Sequence, residues 1–60
     1  MGIYKVKLMR RTGEGKEVTY LYVKAPDTQG GYQKAADKAE AKLEKEKRLG
    51  FHAVDVMAVG

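Results

Sequence analysis

The stretch IYKVKLMRRTGEGKEVTYLYVKA, residues 3–25, decides the fold of this 60-residue chain. Its first part alternates between apolar and polar side chains, with Tyr4, Val6 and Leu8 on one side. A period of two residues is typical of a β-strand with one buried face. The glycines in the middle of the stretch indicate a hairpin loop. The β-branched and aromatic residues of VTYLYVKA, residues 18–25, then predict a second strand.

The remainder of the chain predicts a helix and a third strand. Pro26 ends the second strand because proline cannot donate a hydrogen bond to a β-ladder. Asp27 or Thr28 is expected to cap the helix that follows, and Gly50 is expected to end it. Between them, apolar residues recur at helical spacing while charged residues fill the other side. Residues 51–59 alternate again, so the predicted order of elements is ββαβ.

One helix can cover only one face of a three-stranded sheet. We therefore predict a single α+β domain over residues 1–60, with a mainly antiparallel sheet in the strand order 2-1-3. The alternative places the third strand parallel beside the second. The predicted core residues are Tyr4, Val6, Leu8, Leu21, Val23, Val54 and Val56 on the sheet, and Tyr32, Ala36, Ala39, Leu43 and Leu49 beside it.

The residue types that are missing limit the chemistry. The chain has no cysteine, serine, asparagine or tryptophan, and its one histidine is His52. Serine and cysteine nucleophiles are therefore excluded, as are metal sites built on thiolates. We expect a protein that is not an enzyme, with no catalytic residues, no cofactor, no metal and no small-molecule substrate. The absence of cysteine, of a signal peptide and of a membrane span predicts a cytosolic location.

The formal net charge of +4 lies entirely in the first part of the chain. Residues 1–26 contain six lysines and arginines against two glutamates, whereas residues 27–60 contain equal numbers of each sign. The same basic part holds three of the four tyrosines. A basic, tyrosine-bearing surface beside a neutral remainder favours a contact surface.

Alternation along the strands predicts which side chains the helix leaves uncovered. On this open side of the sheet, lysines surround tyrosine and methionine. The predicted partner-binding residues are Lys5, Lys7, Met9, Tyr20, Tyr22, Lys24 and Met57. A second basic group, at or near the hairpin tip, offers possible phosphate contacts through Arg10, Arg11 and Lys16.

Two kinds of partner fit this surface. Tyrosine and methionine are enriched in protein interfaces, and residues 53–59 are apolar on both sides. These observations favour a protein-interaction module, with a homodimer as one form of it. The alternative is a nucleic-acid-binding protein, because tyrosine and lysine on a sheet stack bases and neutralise phosphates.

The chain resembles two groups of small proteins. Tyr4-Lys5-Val6, Val23-Lys24-Ala25, Ala35-Ala36 with Ala39, and Ala53-Val54-Asp55-Val56 resemble small phage and prophage ββαβ proteins of unknown function, several kinds of which bind a host protein. Tyr4-Lys5-Val6 and Leu49-Gly50-Phe51-His52 are similar to archaeal ribosomal protein LX. That family has a basic cluster after the histidine, where this chain has Ala53-Val54-Asp55-Val56. The difference falls on the part that contacts ribosomal RNA, so a ribosomal function is not expected.

Overall fold

A computed structural model describes all 60 residues of the chain. The elements are β1 (Gly2–Thr12), β2 (Gly15–Ala25), α1 (Gly31–Lys45) and β3 (His52–Ala58). The strands form one antiparallel sheet in the order β2-β1-β3, and α1 packs on one face of it. The predicted α+β fold and the strand order 2-1-3 are confirmed. The alternative with a parallel third strand beside the second is wrong.

The hairpin of β1 and β2 sets the length of the molecule. The two strands pair along their whole length, with Gly13 and Glu14 as the loop. Eleven residues at about 3.4 Å each give roughly 37 Å, and the longest dimension of the molecule is 37 Å. β3 pairs only with Tyr4–Met9 of β1. The tip of the hairpin therefore extends beyond β3.

A β-bulge in β3 changes which of its residues face the helix. Lys7 pairs with Asp55 and Leu8 with Ala53, so Val54 has no partner on β1. The extra residue interrupts the alternation of side chains. Ala53 therefore packs against the core, whereas Val54 is 49% exposed. The prediction of Val54 as a core residue was wrong, because strict alternation does not include a bulge.

The helix begins differently from the prediction. Its N-cap is Gly30, and no side chain caps the first turn. Capping by Asp27 or Thr28 was a wrong prediction, although the Thr28 carbonyl oxygen accepts a hydrogen bond from the Gly31 N–H at 2.8 Å. A Cβ atom at Gly31 would overlap the Pro26 carbonyl oxygen. The glycine thus permits the helix to start directly against the end of β2.

The helix also ends before the predicted Gly50. Its last residue is Lys45, and Lys47 has a φ of 63°. The Arg48 N–H donates to the Leu43 carbonyl oxygen at 2.8 Å, and the Lys47 N–H donates to that of Glu44 at 2.9 Å. This pair of bonds is a Schellman motif, which usually has glycine at the left-handed position. Gly50 as the helix stop was wrong because the chain turns earlier, at a lysine.

The core lies between the middle of the sheet and a stripe of small residues on α1. Gly31, Ala35, Ala39 and Leu43 are the buried residues of the helix. Their spacing of four keeps them on one line, and their small side chains allow the helix to approach the sheet closely. Leu21, Val23, Ala53 and Val56 pack partly buried around the core. The buried core consists of Tyr4, Val6, Leu8, Ala25, Ala35, Ala39, Leu43 and Phe51.

Besides Val54, two predicted core residues lie outside the core, and three buried core residues, Ala25, Ala35 and Phe51, are absent from the predicted set. Tyr32 is exposed, with its ring edge-on to that of Tyr4 at 5.2 Å. Leu49 is 62% exposed, whereas Phe51 is only 6% exposed. The helix is rotated so that Ala35 is buried and the predicted Ala36 is only half-buried. The early end of the helix leaves Leu49 outside and brings Phe51 in.

Tyr4 links the core to the chain that leads into the helix. Its hydroxyl donates a hydrogen bond to the Pro26 carbonyl oxygen at 2.8 Å. Burial raises the pKa of the Tyr4 phenol, and the Asp27 carboxylate and the Tyr32 hydroxyl raise it further. The neutral phenol is therefore the form that the fold favours.

Two side chains of α1 reach the outer strands. The Lys38 ammonium donates to the Lys24 carbonyl oxygen of β2 at 2.6 Å. The Glu40 carboxylate accepts a hydrogen bond from the Ala53 N–H of β3 at 2.8 Å. The helix is thus bonded to both outer strands of the sheet as well as packed on its middle.

Candidate functional site

The helix leaves one whole face of the sheet uncovered, which we call the open face. On β1 the open face carries Lys5, Lys7 and Met9, which alternate with the buried Val6 and Leu8. On β2 the side chains that alternate with Leu21 and Val23 are exposed. On β3, Met57 is exposed beside Lys5. The seven predicted partner-binding residues therefore lie on one face of the sheet.

The strand register sets the neighbours of each lysine at the centre of the open face. Lys5 lies between Tyr22 on β2 and Met57 on β3. Lys7 lies between Tyr20 and Asp55 in the same way. Each of these two lysines therefore has a tyrosine as its neighbour on β2 and a different side chain, Met57 or Asp55, as its neighbour on β3.

The two tyrosines of the open face differ in their surroundings. The Lys5 ammonium lies 4.8 Å from the centre of the Tyr20 ring. At an exposed site such a cation–π contact is worth about 0.5–1 kcal/mol. Tyr22 has no such contact and is the more exposed of the two, at 62% against 50%. Tyr22 therefore offers the freer ring for stacking.

The basic residues near the hairpin tip divide between the two faces. Arg11 pairs with Lys16 across the hairpin, and both line a shallow depression together with Met9. Arg11 and Lys16 therefore continue the open face toward the tip. Arg10 lies on the covered side, where its guanidinium bonds the Glu17 carboxylate at 2.7 Å.

Arg10 also covers part of the core. Its guanidinium lies 4.6 Å from the centre of the Phe51 ring and donates to the Leu49 carbonyl oxygen at 3.0 Å. Arg48 approaches the same ring at 5.2 Å and lies 3.8 Å from Glu17. The sequence grouped Arg10 with Arg11 and Lys16, but the structure places it apart, in a network that closes the core below the hairpin.

The net charge of the chain is concentrated on the open face. That face carries five cationic side chains and one carboxylate, Asp55, and the difference equals the formal net charge of +4 of the whole chain. The rest of the molecule has equal numbers of positive and negative side chains. The five cations are Lys5, Lys7, Arg11, Lys16 and Lys24.

Sequence reasoning missed some residues of the open face. Ile3 pairs with Lys24 and is exposed. The alternation of β1 could have indicated this, because Ile3 lies on the same side of the strand as Lys5 and Lys7. His52 pairs with Met9 and, with Val54, lines a depression beside it. The bulge is what brings Val54 there, and no local sequence signal indicates it. Ile3 and Val54 thus add exposed apolar side chains at the border of the basic centre.

Other kinds of site are not evident. No group of three or more histidine, aspartate or glutamate side chains lies close enough together to hold a metal ion. No helix in the protein has the length and apolar character required to cross a bilayer. The surface depressions are open and lined by few residues. The open face is therefore the most distinctive surface of the molecule.

Comparisons with protein families, with curated proteins and with solved structures found no match. Any function must therefore be inferred from the chain's own residues.

Proposed function

We propose that this protein is a non-catalytic binding module whose open face binds single-stranded nucleic acid. The observation that carries the proposal is the coincidence of the whole net charge with two exposed tyrosines on one face of the sheet. Of the two partner classes that the sequence leaves open, an anionic partner fits this distribution best. Binding of phosphates by lysine and arginine releases counterions and supplies affinity without regard to sequence.

The arrangement of the cations supports contact with an extended strand. Lys5, Lys7 and Arg11 lie at alternate positions along β1, with Lys16 and Lys24 at opposite ends of β2. They are spread along a molecule 37 Å long. A linear polyanion can contact all of them together, whereas a small anion can contact only one or two.

The tyrosines favour a single-stranded ligand over a double-stranded one. Tyr20 and Tyr22 are two residues apart on the same strand, which separates their rings by about 7 Å. Bases stack on such aromatic rings only where the base faces are free. Base–aromatic stacking contributes about 1–3 kcal/mol per base, and it adds to the phosphate contacts of the neighbouring lysines.

Salt dependence tests the electrostatic part of the proposal. Fluorescence anisotropy with a labelled single-stranded oligonucleotide of mixed sequence would give the dissociation constant at several salt concentrations. If all five cations contact phosphates, a plot of the logarithm of the association constant against the logarithm of the salt concentration should have a slope of about −3.5, since each contact contributes about −0.7. Affinity should then fall roughly 100-fold between about 50 and 200 mM salt. Absent binding, or binding that salt does not weaken, would contradict the proposal.

Alanine substitution tests the stacking part. Tyr22→Ala should weaken binding about tenfold, because it removes the freer stacking surface. Tyr20→Ala should weaken binding less, since Lys5 already occupies one side of that ring. Tyr32→Ala is the control, because Tyr32 is an exposed tyrosine on the helix side. Equal loss in all three variants would indicate a general effect on the fold instead of stacking.

A protein partner is the second candidate, and the apolar border of the open face favours it. Met57, Val54 and Val59 are all exposed on or next to β3, and β3 pairs only with β1. Two copies joined by their open faces would bring +4 against +4, so a homodimer would have to use the β3 edge instead. Light scattering at micromolar concentration tests this. A monomeric mass with no protein recovered from a lysate would exclude the second candidate.

A further inference from the structure

The carboxylate of Asp55 is out of place on a surface that binds phosphates. It is the one acidic side chain of the open face, and no cationic group lies within 4.0 Å of it. Lys7 is its neighbour on β1, without forming an ion pair. A free carboxylate repels a phosphate backbone and so weakens non-specific binding. A carboxylate accepts hydrogen bonds, so at this position it would bind a ligand group that donates them.

Asp55 lines a depression of about 210 Å³ at the centre of the open face, together with Lys5, Lys7, Tyr20 and Met57. The depression has an aromatic ring on one side and a thioether on the other. Its polar groups are one carboxylate, which accepts hydrogen bonds, and two ammonium groups, which donate them. A flat ring with donors beside an acceptor on its edge matches this set.

We propose that this depression binds a guanine base of the bound strand. This inference rests on the proposed function, and it adds a base preference to it. The N1–H and N2–H of guanine point in the same direction and can donate together to the two oxygens of Asp55. Guanine O6, next to N1, can accept from the Lys7 ammonium, as lysine commonly binds this base. The ring would lie against Tyr20 and Met57.

The other bases match the depression less well. Thymine and uracil have one N–H between two carbonyl oxygens, so a carbonyl would face the carboxylate. Adenine and cytosine have an amino group next to an unprotonated ring nitrogen, which repels the second carboxylate oxygen. Guanine alone presents two adjacent donors with an acceptor beside them. A bidentate match of this kind discriminates between bases by about tenfold or more.

Two oligonucleotides test the base preference. One consists of about nine thymidines, and the other has a single guanosine in the central position, which avoids structures formed by runs of guanine. We expect the second to bind about tenfold more tightly by anisotropy. Inosine, which lacks the N2 amino group, should give an intermediate affinity. Equal affinity for all three strands would overturn the inference, and salt-dependent binding of all three would leave the proposed function intact.

Asp55→Asn separates base recognition from charge. If Asp55 binds guanine, this variant should bind the thymidine strand more tightly, because a negative charge is lost, but should lose the preference for guanosine. Glu14→Gln is the matched control: it removes a carboxylate from the hairpin loop and should leave the preference unchanged. An Asp55→Asn variant that keeps the wild-type preference would overturn the inference.

A final measurement distinguishes the source of the base. Free guanosine monophosphate presents the same donors as a guanosine within a strand. The mononucleotide and the thymidine strand are compared as competitors of the bound guanosine-containing strand. If the mononucleotide is needed at far higher concentration than the thymidine strand, the depression acts within a larger strand-binding surface, as proposed. If the mononucleotide is the better competitor, the ligand is a free nucleotide, and the inference of a strand-bound base is overturned. Absence of binding by every probe would overturn both the inference and the proposed function.

Discussion

At the scale of single residues, two neighbouring glycines have different roles. A Cβ atom at Gly31 would overlap the Pro26 carbonyl oxygen and lie 2.6 Å from the Tyr4 hydroxyl. At Gly30 the nearest atom is the Thr28 hydroxyl oxygen, at 4.0 Å. The sequence shows only a pair of glycines that weakens a helix start. The structure shows that one of them permits close contact and the other does not.

We predict opposite effects of alanine at these two positions. Gly31→Ala should lower the free energy of unfolding by about 2 kcal/mol or more, because backbone and the Tyr4 hydroxyl would have to move. Gly30→Ala should change it by less than about 1 kcal/mol, with stabilisation expected, since Gly30 has an ordinary helical φ of −71°. Urea unfolding of both variants measures the difference. Similar stability of the two would contradict the close approach.

Tyr4 makes stability depend on pH in the alkaline range. Its folded-state pKa is raised above the ordinary value, so the folded protein binds the phenolic proton more tightly than the unfolded chain does. This contribution is fully present below about pH 10, the pKa of an unfolded tyrosine. It is lost as the pH rises through the folded-state pKa. We therefore expect the free energy of unfolding to fall above about pH 10.

Comparison with Tyr4→Phe isolates this effect from the titration of lysines. The variant lacks the hydroxyl and its bond to Pro26, so it should be less stable at neutral pH. Its stability should nevertheless decline less steeply with pH, as followed by urea unfolding from about pH 8 to 12. Identical slopes for wild type and variant would show that Tyr4 does not account for the alkaline loss.

At the scale of elements, the segment between α1 and β3 shows how far sequence patterns extend. Helical periodicity places Leu49 on the apolar stripe only if the helix continues to Gly50. The chain turns at Lys47 instead, and the ring of Phe51 enters the core with the guanidinium groups of Arg10 and Arg48 close to it. A lysine in the left-handed conformation has no sequence signature. The burial of Phe51 in place of Leu49 therefore could not be predicted.

Alanine substitution measures how much Phe51 and Leu49 each contribute to stability. Phe51→Ala should destabilise the fold by about 3 kcal/mol or more, because it removes a buried aromatic side chain. In a domain of this size that is a large part of the total stability. Leu49→Ala should cost less than about 0.5 kcal/mol, since Leu49 is exposed. Thermal unfolding followed by circular dichroism would show the difference. A larger loss of stability in Leu49→Ala than in Phe51→Ala would contradict the burial of Phe51 in place of Leu49.

The strands themselves were predictable in greater detail. Alternation along β1 and β2 identifies the buried Tyr4, Val6 and Leu8 and also the open face, because both strands pair without a bulge. β3 follows its pattern only from Asp55 onward, since the bulge interrupts it. The seven predicted contact residues thus lie together as expected. The covered side of Arg10 also follows from this alternation, because Arg10 continues the side of Tyr4, Val6 and Leu8, whereas the position of Val54 depended on a bulge that no local pattern contains.

At the scale of the whole molecule, the distribution of charge matters more than its total. The helix side is neutral while the open face carries the excess. We predict that Lys5→Gln with Lys7→Gln weakens oligonucleotide binding at least tenfold, because two phosphate contacts are lost. Lys42→Gln with Lys45→Gln, in the last turn of α1, gives the same net charge and should leave binding nearly unchanged. Equal losses would mean that net charge alone attracts the strand.

The hydrogen bonds from Lys38 to β2 and from Glu40 to β3 also affect how copies of the protein behave together. Unpaired strand edges are templates on which further chains assemble into fibrils. Here a helix side chain occupies a backbone group on each outer strand, at Lys24 and at Ala53. An incoming strand would have to displace a charged group at either position before pairing. Each outer strand thus has one backbone group already bonded to the helix, which disfavours edge pairing at that position, while the open face stays accessible to a partner.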